Sequence, residues 1–133
     1  MGSKSLEEVM IRFREVEFQE TFDMIVAITN GGIIPAAILN QRLDITIELL
    51  KINLRDRYQN KKYDYPQLVH PINFDFENKT VLLVDDRVKT GATFGFASEL
   101  LQKAKKVKTF AVNGKADYSL YDEDCFRFPW ILF

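Results

Sequence analysis

Apolar and polar positions follow two different periods along this chain. Leu6, Val9, Met10, Phe13 and Val16 recur every three or four residues, which predicts an amphipathic helix over residues 6–20. Ser5-Leu6-Glu7-Glu8 has the form of a capping box for its start, with Ser5 as N-cap and Glu8 able to reach back. Two short runs contain no polar position: Met24-Ile25-Val26-Ala27-Ile28 and Val81-Leu82-Leu83-Val84. Continuous apolar runs of this length predict strands buried on both faces of a parallel sheet. Each run leads through a glycine turn into a helical stretch. Thr29-Asn30-Gly31-Gly32 precedes a predicted helix over 34–41, with Pro35 tolerated in its first turn. Thr90-Gly91-Ala92-Thr93 precedes another over 94–106. Residues 45–54 alternate and are rich in β-branched side chains, so they read as a strand, as do 107–112 before Asn113 and Gly114 break the pattern. Residues 55–67 are polar, charged and aromatic, and predict a long exposed loop. Strand alternating with helix gives an α/β fold, a central mostly parallel sheet flanked by helices, in a single domain spanning 1–133.

Composition narrows the classes without choosing among them. Of 133 residues, 47% are hydrophobic and 28% charged, and the net charge is −1, which gives no reason to expect nucleic acid or an acidic membrane as partner. No apolar run approaches the ~18 residues of a membrane span, and the charges at Lys4, Glu7, Glu8 and Arg12 argue against a secretory signal. The one cysteine, Cys125, excludes an internal disulfide framework and fits a reducing, cytoplasmic compartment. It is expected to be a half-buried structural thiol. His70 is the only histidine, so a histidine metal cluster is impossible. Lys103, Lys105, Lys106 and Lys108 read as a solvated face at a helix C-terminus. The closing Phe128, Trp130, Ile131, Leu132 and Phe133 are apolar enough to pack on the core or on a second subunit.

The candidate chemistry lies after the second apolar run. Asp85 and Asp86 stand where that strand should end, and Thr90-Gly91-Ala92-Thr93 then turns the chain into a helix. A strand feeding a helix through such a turn points free N–H groups into a concave loop, which is an anion site. Carboxylates on one side and bare N–H groups on the other suit a ligand with both hydroxyls and a phosphate. Asp85 and Asp86 can accept hydrogen bonds from ribose hydroxyls and hold Mg²⁺ directly or through water. In an open parallel sheet the Thr29-Asn30-Gly31-Gly32 turn should face the same crevice, and its N–H groups would serve a second anion. A Walker A loop is absent.

The run from Val81 to Thr93, four apolar residues, two acids and a loop ending Thr-Gly-x-Thr, resembles the phosphoribosyl-pyrophosphate (PRPP) signature of type I phosphoribosyltransferases. Ile28-Thr29-Asn30-Gly31-Gly32-Ile33-Ile34-Pro35-Ala36 resembles the pyrophosphate loop of their xanthine–guanine branch, where a peptide is often cis without proline. The resemblance implies transfer of a phosphoribosyl group from PRPP to a nitrogenous base, a purine first, with release of pyrophosphate and with Mg²⁺. It implies Asp85, Asp86 and Lys89 as the catalytic positions and Lys89, Thr90, Gly91, Ala92 and Thr93 at the 5′-phosphate. It also implies Thr29, Asn30, Gly31 and Gly32 at pyrophosphate, and a mobile lid at about 54–67 with Arg57 and Tyr58 as its contacts. A reduced base-binding segment at about 113–133 would use Lys115 toward an exocyclic oxygen, with Cys125 and Phe126 walling the base. A homo-oligomer, dimer or tetramer, is implied as well.

Four positions depart from the family pattern. Lys89 stands where the 6-oxopurine enzymes carry an aspartate that accepts the base proton, and an ammonium is a donor only. Asn30 replaces a basic residue, Cys125 an aromatic one and Arg87 an apolar one. A second reading therefore stays open: a PRPP or nucleotide sensor that keeps the site without base activation.

Overall fold

The computed structural model describes residues 2–53 and 65–132. In chain order the elements are β1 (Gly2–Ser3), α1 (Leu6–Glu15), β2 (Met24–Thr29), α2 (Ile33–Leu43), β3 (Thr46–Asn53) and β4 (Gln67–Leu68). There follow β5 (Thr80–Arg87), α3 (Ala92–Leu100), β6 (Lys106–Asn113), β7 (Tyr118–Tyr121) and β8 (Phe126–Arg127). One sheet has the order β4-β3-β2-β5-β6-β7. All its pairings are parallel except the antiparallel edge strand β4. β1 and β8 form a separate parallel pair. This is the α/β architecture that the apolar runs predict.

Side-chain alternation along the central strands explains why those runs contain no polar residue. Ile25, Ala27, Leu82 and Val84 point to the face covered by Val9 and Phe13 of α1 and Ala36 and Leu39 of α2. Met24, Val26, Ile28, Val81 and Leu83 point to the opposite face, under Phe94 and Ala97 of α3 and Leu101. Both faces exclude water, so neither parity tolerates a polar residue.

α1, α3 and β5 end farthest from where the pattern predicts, while α2 runs two residues past 41, to Leu43. α1 stops at Glu15, not residue 20, because Val16 turns to φ −60°, ψ 130°. Phe18 then drops onto Phe22 and Tyr118, at ring-centroid distances of 5.5 and 4.8 Å. α3 stops at Leu100, not residue 106, and Lys105 donates to the Lys79 carbonyl at 2.9 Å. The four lysines are thus not a helix terminus: Lys106 and Lys108 lie on β6, and Lys108 pairs with Glu20 at 3.8 Å. β5 runs on through Arg87, so the two acids lie within the strand, with Asp85 opposite Ala111 of β6. The 55–67 loop falls largely outside the described residues, apart from exposed Tyr65 and the start of β4.

The capping box at α1 is half made. Ser5 Oγ accepts from the Glu8 N–H at 3.1 Å, but the Glu8 carboxylate turns away and accepts from the Tyr121 hydroxyl at 2.6 Å. Burial first, and then this bond, push the Tyr121 pKa from 10.0 up to about 12. A group raised in the folded state stabilises below its unfolded value and loses that stabilisation as pH climbs through the folded one. The wild type should lose about 2–3 kcal/mol between pH 10 and 12 from this group. Tyr121→Phe should not show that loss when urea unfolding is compared across the same range.

Candidate active site

The central register sets the site. Met24 to Ala27 pair with Val81 to Val84 in parallel, so the turns leaving β2 and β5 open at the same end of the sheet. The Thr29–Asn30 peptide is cis. Gly31 then lies directly beneath the acids. A Cβ there would stand 2.5 Å from Asp86 Oδ1 and 2.9 Å from Asp85 Oδ1. Two carboxylate oxygens thus converge over one glycine.

Not every N–H of this turn is open to a ligand. Gly32 donates to the Ile28 carbonyl at 2.7 Å and Ile33 to the Asn30 carbonyl at 3.1 Å. The Gly32 Cα faces the Val84 carbonyl so closely that a Cβ would be 2.3 Å from it. Gly32 is therefore a packing position, its N–H and its Cα both taken up by the strands.

Asp85 Oδ1 accepts from the Asp86 N–H at 2.8 Å. Desolvation, and then the Asp86 charge, hold the Asp85 carboxyl well above the usual carboxylate range. Crowded carboxylates of this kind favour a cation or hydroxyl donors between them. Beyond them Gly91, at φ +85°, turns the chain into α3 in a conformation that glycine adopts without strain. α3 begins with no side-chain hydrogen bond from its N-cap, and only Thr90 Oγ accepts from the Ala92 N–H, at 3.2 Å. Its first turn leaves N–H groups without a side-chain partner, the arrangement that can receive an anion.

On the other flank, Val88 donates to the Asn113 carbonyl at 2.9 Å. Gly114, at φ +126°, packs on Val88 with no room for a side chain. The loop carrying Lys115 therefore lies against the loop carrying Lys89, and both lysines are exposed.

The C-terminal segment departs from its expected role. Phe126 is 3% exposed, packed against Tyr121 and Phe128 at 5.1 and 5.3 Å, with the Lys4 ammonium 5.0 Å from its ring. It is a core residue with no face left for stacking on a base. Cys125 is exposed, not half-buried. It lines a cleft of about 310 Å³ with Gly2, Ser3, Lys4, Glu123, Asp124 and Phe126, separate from Asp85, Asp86 and Lys115. Arg57 and Tyr58 lie outside the described residues.

Two residues matter more than their sequence context indicates. Arg87 places its guanidinium 4.6 Å over the Phe128 ring and donates to the Phe126 carbonyl at 2.9 Å. Asn113, 3% exposed, donates to the Glu123 carbonyl at 3.1 Å and accepts from its N–H at 3.0 Å. Together they fasten the C-terminal segment to the strands that bear the site. The only hint in the sequence is that an amide ends an apolar strand and precedes a glycine. Asn113→Ala should cost about 1–3 kcal/mol by leaving the part-buried backbone groups of Glu123 unpaired. Amide exchange at Glu123 should accelerate accordingly.

Comparison with known proteins agrees with this layout. Residues 5–130 match the phosphoribosyl transferase domain family. The chain belongs to the phosphoribosyltransferases. A xanthine-guanine phosphoribosyltransferase of Desulfotalea psychrophila is 33% identical over 117 residues, 86% of this chain and 71% of that protein. The enzyme of the same name from Idiomarina loihiensis is 29% identical over 118 residues, 84% of this chain and 72% of that protein. The crystal structure of a purine phosphoribosyltransferase from Pyrococcus horikoshii superposes with a TM-score of 0.78 at 26% identity, covering 99% of this chain and 94% of that one. The Val81–Thr93 run lies across β5 and the turn into α3, and the Thr29–Gly32 stretch forms the turn between β2 and α2. No helix among the described residues is long and apolar enough to cross a membrane.

Proposed function

We propose that this phosphoribosyltransferase moves the 5-phosphoribosyl group from PRPP to a purine-type base and releases pyrophosphate. The observation that carries the reading is the convergence of Asp85 and Asp86 over Gly31, beside the open first turn of α3. Asp85 and Asp86 accept the ribose hydroxyls. N–H groups and hydroxyls of Thr90, Gly91, Ala92 and Thr93 receive the 5′-phosphate. Asn30 and Gly31 face the pyrophosphate, and Lys115 serves the base.

Two adjacent carboxylates with no third acidic, cysteine or histidine ligand among the described residues suit Mg²⁺, which keeps water and phosphate oxygens in its shell. Bound through Asp85 and Asp86, Mg²⁺ would neutralise charge on the leaving pyrophosphate. The chain's own groups orient the sugar so that C1 faces the base, and present N–H dipoles where negative charge grows. An exposed free thiol at Cys125 suits a reducing cytoplasm.

The test is pyrophosphate release from labelled PRPP with Mg²⁺ and each of xanthine, guanine, hypoxanthine and adenine. Release with at least one base is expected. PRPP binding without release for every base would replace the transferase by a sensor.

A further inference from the structure

Resting on the PRPP site proposed above, we infer that Arg87 is a positioning residue that ties the posture of the C-terminal segment, Phe126 to Trp130, to the filling of the acid pair. Arg87 directly follows Asp85 and Asp86, at the last position of β5, with its backbone in register with Asn113. Its side chain leaves the strand for the C-terminal segment. One guanidinium nitrogen donates to the Phe126 carbonyl at 2.9 Å, and the charge lies 4.6 Å from the centre of the Phe128 ring. Phe128 in turn stacks on Trp130, with centroids 5.2 Å apart and planes 10° from parallel. A continuous line of packed groups thus runs from the carboxylates to the one tryptophan of the chain.

Packing alone gives no reason for an arginine here. Phe126 and Phe128 are buried, and an apolar side chain laid against them would need no hydrogen bond. Arg87 instead buries an Nε–H that has no acceptor among the described residues, and an unpartnered buried donor opposes folding. Nor does a carboxylate pair with the guanidinium among the described residues. One carbonyl and one ring face hold it, both attractive to a cation.

The same charge reaches the acid pair. Burial and the Asp86 charge raise the Asp85 carboxyl, and the Arg87 charge opposes them. The guanidinium is therefore drawn in two directions, toward the acids behind it and toward the C-terminal segment ahead. Hydroxyl donors of a bound sugar take up part of the acids' negative charge, which leaves Arg87 more firmly on the Phe126 carbonyl and the Phe128 ring. Coupling of this kind is reciprocal, so a segment that grips Arg87 strengthens the hold of the acids on the sugar.

Titration calorimetry with PRPP and Mg²⁺, with Trp130 emission followed in the same titration, tests this on the wild type, Arg87→Met and Arg87→Lys. Methionine fills the space without the charge or the unpartnered N–H, and lysine keeps a cation but loses the planar fork. By urea unfolding the ligand-free Arg87→Met should be at least as stable as the wild type. Its PRPP affinity should nevertheless fall about five- to tenfold, the low end of ordinary coupling between sites. The emission change that accompanies binding in the wild type should disappear in Arg87→Met, and Arg87→Lys should lie between in both readouts. Phe128→Leu should also weaken PRPP binding, and should add little once Arg87→Met is present, because both act on one path. Wild-type affinity or a wild-type emission change in Arg87→Met overturns the inference. So does an affinity lost only in step with stability, which would mark Arg87 as structural. No heat of PRPP binding to the wild type overturns the transferase reading itself, and the coupling falls with it.

Discussion

Gly31→Ala should weaken PRPP binding about 100-fold while leaving the protein folded. The added methyl would lie 2.5 Å from Asp86 Oδ1, 2.7 Å from its Cγ and 2.9 Å from Asp85 Oδ1, all far inside contact distance. Neither side yields freely. The turn is fastened by the Gly32 and Ile33 N–H bonds to Ile28 and Asn30, and Gly32 is boxed in by the Val84 carbonyl. The Asp85 carboxylate is held by the Asp86 N–H. The carboxylates must swing away from the proposed ribose position, and a displacement near 1 Å in such a site costs about 10²-fold. The stability loss should be smaller, about 1–3 kcal/mol, as for other overpacked positions. Titration calorimetry with PRPP and Mg²⁺, beside a thermal melt, reads both. Unchanged affinity would show that the sugar does not sit over Gly31.

Asp85→Asn should separate stability from function in the opposite sense. Burial and the neighbouring Asp86 charge raise the Asp85 carboxyl above its ordinary range, so ionising it opposes folding. A folded pKa above the unfolded one means stability present in acid and lost as pH rises from about 4 through the folded value. The amide has the same shape and no charge, and it can still accept from the Asp86 N–H. At neutral pH the ligand-free variant should be more stable than wild type by about 0.5–2 kcal/mol. Its affinity for PRPP with Mg²⁺ should fall about 10- to 100-fold, the worth of a charged hydrogen bond. A variant that is less stable and binds normally would contradict both halves of the argument.

How much of this was legible beforehand differs from element to element. β2 and β5 are announced by runs without polar residues, because helices cover both faces of the sheet centre. The helix N-terminus at Ser5 is a local event and reads correctly, whereas α3 starts at Ala92, two residues ahead of the expected 94. Helix ends are tertiary events. Val16 and Phe18 keep the apolar spacing of α1 while packing as irregular chain, and Leu101 and Ala104 do the same beyond α3. β1, β4 and β8 have two residues each and β7 four, too few for any alternation to stand out.

Within the site, the acids and both glycine turns are visible as motifs, and the parallel-sheet rule places them together. Phe126 was not separable from a pocket wall, because burying an aromatic in a core and stacking it on a ligand demand the same residue. Asn113 has the look of a strand breaker in the sequence, whereas its amide is consumed by Glu123 across a loop that no local pattern reveals. Gly32 has the sequence context of an anion binder, but its N–H donates to the Ile28 carbonyl.

Gly31 and Asp86 come from opposite halves of the chain and meet only because β2 and β5 are neighbours at the middle of the sheet. A fragment from either half carries one jaw of a vice with nothing to close against. At the proposed site, occupancy by PRPP would therefore report completed assembly of the sheet centre, and a saturating dose should protect against global unfolding and not merely quieten a loop. At a hundred times its dissociation constant the ligand adds about 2.7 kcal/mol, and the slowest-exchanging amides of the two central strands should record that gain.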